Sequence, residues 1–80
     1  MVKPNILFIE DEAALAKFVK LELEYEGYEV TIAPEGLSGL STAREKSPDL
    51  ILLDWMLPGI SGLEICRRLR QTGDKVPLLC

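Results

Sequence analysis

Three acids follow apolar runs in a way that could do chemistry. Ile6-Leu7-Phe8-Ile9 leads straight into Glu10 and Asp11, and Leu50-Ile51-Leu52-Leu53 leads straight into Asp54. In an open α/β sheet, sites lie outside the carboxyl ends of the strands. If these two runs are neighbouring strands, three carboxylates meet at one cleft. Like charges that close cannot all stay ionised without compensation. A hard divalent cation with oxygen ligands, Mg²⁺ above all, would supply it. Asp54 leaves the drier of the two strands. Beside a bound cation, such a carboxylate can attack a phosphoryl group in line and become an aspartyl phosphate. The plainer reading is an acidic helix start at Glu10-Asp11-Glu12 and a solubilising acid at a strand end. Coincidence at one sheet edge favours the site.

The elements that must position these acids can be read from periodicity. The first apolar run is continuous, as in a parallel strand covered on both faces. From Ala13 the period becomes helical, with Leu15, Phe18, Val19 and Leu23 on one stripe and Gly27 as a stop. Leu21 and Tyr25 widen that stripe beyond what one sheet face requires. Glu29–Ala33 alternates and is more polar, which predicts an edge strand. Leu37, Leu40 and Ala43 predict a short helix from about Gly36 to Lys46, weakened by Gly36 and Gly39. Ser47-Pro48 breaks it before the strand Asp49–Asp54. After the loop Trp55–Ser61, Ser61 and Glu64 form a capping-box pattern for a helix with Ile65, Cys66 and Leu69 inward. That helix ends near Thr72-Gly73, and Val76–Cys80 begins a fourth strand. The order β-α-β-α-β-α-β predicts an α/β fold: a doubly wound parallel sheet with right-handed crossovers.

Composition excludes several functions. Eighty residues make one small domain or a piece of one. Nine basic against thirteen acidic residues give a net charge of -4, which argues against a nucleic-acid or anionic-membrane surface. With no histidine, His-based catalysis and His-ligated zinc are out. Cys66 and Cys80 are too far apart for a CxxC motif and too few for a disulfide framework. No apolar run reaches a membrane span, and the Met-Val-Lys-Pro start lacks a signal peptide's apolar core, so a cytoplasmic location is expected.

Ile6–Glu12, read with Leu50–Gly62, resembles the receiver domain of bacterial response regulators (CheY-like). The resemblance covers the whole chain, and Asp54-x-x-Leu57-Pro58-x-x-x-Gly62 is its most specific part. Trp55–Gly59 and Leu63–Arg67 are most similar to the PhoB/OmpR transcription-factor type. The resemblance implies Asp54 as phosphoacceptor, with a sensor histidine kinase as donor. It implies Asp11 and Asp54 as Mg²⁺ ligands, with the Met56 backbone carbonyl as third. Glu10 stands where Asp is commoner and would act through metal-bound water. It also implies DNA binding only through an output domain, absent here.

The same resemblance makes residues 1–80 a partial receiver domain lacking its C-terminal third: a truncated flavodoxin/CheY-like sheet. The family's hydroxyl at the end of the fourth strand and its Lys after the fifth have no counterpart. Impaired phosphorylation is therefore expected, together with self-association, as a homodimer or larger, through the exposed fourth strand. An enzyme is not expected. Carboxylate-metal phosphatases and Toprim-like nucleases want Asp-x-Asp after a strand, whereas Asp54-Trp55-Met56 lacks the second acid. Acids rather than glycines after the first strand disfavour nucleotide binding. A phosphorylation-independent dimerisation module is the remaining alternative. Arg67, Arg68, Arg70 and Lys75 read as a solvated helix face, and Trp55 as an aromatic packing the loop.

Overall fold

The computed structural model describes residues 2–80. Met1, the first residue of the Met-Val-Lys-Pro start, lies outside them. Four parallel strands, β1 (Asn5–Ile9), β2 (Glu29–Ala33), β3 (Leu50–Leu53) and β4 (Leu78–Leu79), form a sheet of order β2-β1-β3-β4. Helices α1 (Ala13–Tyr25), α2 (Gly36–Lys46) and α3 (Gly62–Gln71) make the crossovers. The first two apolar runs are thus adjacent, with Ile9 paired to Leu53, and the edge position expected for Glu29–Ala33 is that of β2.

Strand alternation divides the core in two. Leu7, Ile9, Ile51 and Leu53 pack with Leu40 and Ala43 of α2 and Ile65 and Leu69 of α3. Ile6, Phe8 and Val30 pack with Ala16 of α1, flanked by Val19, Leu23, Leu50 and Leu52. Leu7, Ile9, Ile51 and Ile65 are fully buried. Each such side chain contributes about 2 kcal/mol of transfer free energy.

Two helices differ from the periodic reading. The inward stripe of α1 is buried Ala16 with partly buried Val19 and Leu23, whereas Leu15 is exposed and Phe18 is 62% exposed. The helix leans toward β2, so the flank carrying Phe18, Leu21 and Tyr25 meets no other element among the described residues. In α2 the buried stripe is Gly36, Gly39, Leu40 and Ala43, while Leu37 is exposed. Its glycines are contact residues. A Cβ on Gly39 would stand 2.5 Å from Ile9 Cδ1, so the helix can lie on β1 only with hydrogen there.

The ends of the helices follow local chemistry. After α1, Gly27 takes φ 98° and closes the turn through Gly27 N–H to the Glu24 carbonyl and Tyr28 N–H to the Leu23 carbonyl. The reciprocal capping box belongs to α2, between Glu35 and Ser38. At α3, Ser61 Oγ accepts from Glu64 N–H at 3.2 Å, while the Glu64 carboxylate turns to Arg67 and Arg68. The pattern expected at Ser61 is therefore half realised, because two guanidiniums compete for the carboxylate. The fourth strand is shorter than Val76–Cys80. Only Leu78 and Leu79 pair with β3, and the Pro77 carbonyl accepts from Ile51 N–H.

Candidate functional site

The carboxyl ends of β1 and β3 bring Glu10, Asp11 and Asp54 together, with oxygens from all three within 4.8 Å of one another. Backbone bonds set this geometry. Glu10 N–H donates to the Ala33 carbonyl of β2, and Asp54 N–H donates to the Ile9 carbonyl of β1, so both acids leave the sheet at one level. Each carboxylate is then aimed by the chain that follows it. Glu12 N–H donates to Glu10 Oε2 at 3.1 Å, and Met56 N–H donates to Asp54 Oδ1 at 3.0 Å.

Residue Glu12 is the N-cap of α1 and makes no side-chain capping bond, and the first turn of that helix holds no acid. Solubility alone also fails to account for Glu10, which is 6% exposed although it lines an open cleft. Burial pushes its carboxyl above the usual carboxylate range, and the adjacent Asp54 and Asp11 push the same way, against the Glu12 amide. Such a cluster is short of positive charge.

The donor set fits a hard cation. All its ligand atoms are carboxylate oxygens, the donors that a hard divalent cation takes. The cleft beside the acids has a volume of about 390 Å³ and is lined by Phe8, Glu10, Leu53, Asp54, Trp55 and Cys80, among others. No Lys, Ser or Thr lines it among the described residues.

The loop between β3 and α3 holds Asp54 from its far side. Leu57 is buried in the core, and Trp55 lies against Gly62 at the start of α3. The aromatic is therefore a loop-packing residue, as its sequence context suggests. Sequence reasoning missed the part that Gly62 plays under Trp55, although the spacing Asp54-x-x-Leu57-Pro58-x-x-x-Gly62 carries it. The Arg67 and Arg68 guanidiniums are taken by Glu64, and Arg70 by the Asp74 carbonyl. No helix is long and apolar enough to cross a membrane among the described residues.

A parallel sheet of order β2-β1-β3-β4 with acids at the ends of β1 and β3 defines a CheY-like α/β domain. The response regulator receiver domain model matches residues 6–80, and the chain belongs to that family. It is 53% identical over 79 residues to the transcriptional regulatory protein YkoG of Bacillus subtilis (strain 168), covering 99% of this chain and 35% of that one. It is 50% identical over 78 residues to the phosphate regulon transcriptional regulatory protein PhoB of Rhizobium meliloti (strain 1021), covering 95% and 34%. The solved response regulator TrrA of Thermotoga maritima, in complex with Mg²⁺ and BeF, superposes with TM-score 0.82 at 38% identity, over 86% of this chain and 60% of that one. The chain spans about a third of the length of the curated relatives it matches. Response regulators of this kind are phosphorylated by sensor histidine kinases, and their receiver domains are generally not enzymes in their own right.

Proposed function

We propose that this chain is a phosphoacceptor module in which Asp54 receives a phosphoryl group from a sensor histidine kinase in the cytoplasm. The observation that carries the reading is the convergence of Asp54 with Glu10 and Asp11 at the ends of paired strands. Asp11, Asp54 and the Met56 carbonyl would hold Mg²⁺, with Glu10 in support through water. When bound, the cation offsets charge on the transferring phosphoryl oxygens.

The chain's own residues do the rest. Met56 N–H holds Asp54 Oδ1, so the carboxylate presents Oδ2 as the oxygen not fixed by the loop backbone. As the new bond to phosphorus forms at Asp54, the donor's bond to phosphorus breaks, and no proton need move at the acceptor. Leu53, Phe8 and Trp55 form the apolar wall of the cleft beside it. Residues 1–80 would act as part of a receiver domain, and DNA contacts would belong to an output domain outside them.

Incubation with acetyl phosphate and Mg²⁺, read by intact mass, tests the reading. A single phosphoryl adduct is expected, slow and partial, because no ammonium or hydroxyl among the described residues lines the cleft to meet the phosphoryl oxygens, a kind of donor worth several kcal/mol in such sites. Absence of any adduct at long incubation, or an adduct that persists in Asp54→Asn, overturns it.

Self-association is a second reading, favoured by one observation. On the α1 side of the sheet, Ile6, Leu23, Leu50, Leu52 and Leu79 line an open apolar groove of about 380 Å³ beside edge strand β4. A second copy could cover it, pairing the edge or packing the face.

A further inference from the structure

Loop packing accounts for only part of the Trp55 side chain. The residue rests on Gly62 through its Cα and the Cε3–Cζ3 edge of the indole. It also lines the cleft that holds Asp54 and Glu10, and it is 51% exposed. Phe8, the other aromatic lining that cleft among the described residues, is only 8% exposed. Phe8 thus belongs to the buried floor of the cleft and Trp55 to its open rim. An indole seated on one edge and open to solvent is a preordered aromatic surface, so binding to it costs little ordering entropy.

In-line transfer fixes where a donor must go. Asp54 attacks phosphorus from one side, and the leaving group departs from the other, outward from Asp54. The leaving group therefore meets the rim of the cleft rather than its floor. For a histidine kinase that group is an imidazole. This chain holds no histidine, so the ring always belongs to the donor.

We infer that Trp55 recognises the phosphoryl donor, its indole stacking on the imidazole of a phosphohistidine. The inference rests on the phosphoacceptor reading of Asp54 and adds to it the donor class that the site prefers. In the step, an Asp54 carboxylate oxygen bonds to phosphorus and the P–N bond breaks, its electron pair going to nitrogen. With the second ring nitrogen already protonated, the imidazole leaves neutral. Before transfer that ring is both planar and cationic, and a tryptophan face attracts both properties. Acetate, which leaves acetyl phosphate, and ammonia, which leaves phosphoramidate, have no ring to stack.

The test gives the eighty-residue chain Mg²⁺ and, in turn, N-phosphoimidazole, acetyl phosphate or phosphoramidate, and follows adduct formation by intact mass. The readout is the ratio of rates between donors within each variant. That ratio cancels any change in stability, Mg²⁺ affinity or Asp54 placement common to all three. Trp55→Leu should lower the phosphoimidazole-to-acetyl-phosphate ratio about three- to tenfold, as loss of a stacked aromatic pair does. Trp55→Phe, which keeps a ring, should hold it within about twofold of wild type. The phosphoramidate-to-acetyl-phosphate ratio should stay unchanged in both. An unchanged phosphoimidazole ratio in Trp55→Leu, or a phosphoramidate rate that falls in step with it, overturns the inference and leaves the phosphoacceptor reading standing. Absence of adduct from every donor overturns both.

Discussion

Gly62 lies so close to Trp55 that a Cβ at position 62 would stand 3.1 Å from the Trp55 Cα and closer still to the indole Cε3. The last glycine of Asp54-x-x-Leu57-Pro58-x-x-x-Gly62 is therefore the surface on which the residue after Asp54 rests. An alanine there must displace the indole, and the backbone contact asks the loop to give as well. Gly62→Ala should destabilise the fold by about 1–3 kcal/mol, as overpacking does. It should also shift the Trp55 emission and weaken Mg²⁺ binding. Unchanged emission with unchanged melting would show that the glycine is incidental.

Asp54→Asn removes one of three like charges from a cluster in which Glu10 already resists ionisation. In metal-free buffer at neutral pH, the variant should melt at the same temperature as wild type or higher. Mg²⁺ should raise the melting point of the wild type and lose most of that effect in the variant, with affinity down about tenfold or more, or ~1.4 kcal/mol. Trp55, next to the acceptor, reports the titration by fluorescence. An identical Mg²⁺ response in both proteins would remove Asp54 from the site.

What could be read in the sequence was what depends on pattern. The apolar runs ending in Glu10-Asp11 and Asp54 gave the strands, their parallel pairing and the level at which the acids emerge. Less legible was anything set by distance between elements. Phe18 counts as core by period, yet α1 leans toward β2 and leaves it exposed. Gly39 looks like a helix weakness by propensity, yet it is what lets α2 reach Ile9. At Ser61 the cap was legible, but the competition of Arg67 and Arg68 for Glu64 was not, because Glu64 fits both roles by spacing.

That competition gives a pH prediction. Arg67 and Arg68 hold the Glu64 carboxyl down at about 2, against an ordinary 4.5. A carboxyl lowered on folding stabilises the fold above its unfolded value and loses that contribution as pH falls through its folded one. The Glu64 contribution should therefore be full above pH 4.5 and fade between about 4.5 and 2. The carboxylate is partly exposed at the surface, so salt should shrink the effect. Comparing urea midpoints of wild type and Glu64→Gln across pH 2–6 checks it. A wild-type advantage that is constant down to pH 2 would assign the effect to helix propensity instead.

The apolar groove beside β4 leads to the final prediction. Among the described residues, helix covers the α1-side face of the sheet only near β1 and β2, leaving Leu50 and Leu52 partly exposed and Leu79 exposed. Edge strand β4 adds backbone groups on its outer side that no strand among the described residues pairs. Apolar side chains around unpaired backbone are what a second chain can satisfy at once. Exposed Phe18, Leu21 and Tyr25 of α1 offer further apolar area. Because one copy presents the same surface as another, a two-fold arrangement is the simplest closed form. Light scattering after size exclusion at micromolar concentration should give twice the monomer mass or more. Leu79→Glu, which places a charge in the groove while leaving Leu78 to pack on the core, should shift the population to monomer. A wild-type species of monomer mass that melts cooperatively would mean that the face is stable in water uncovered, and self-association would be wrong.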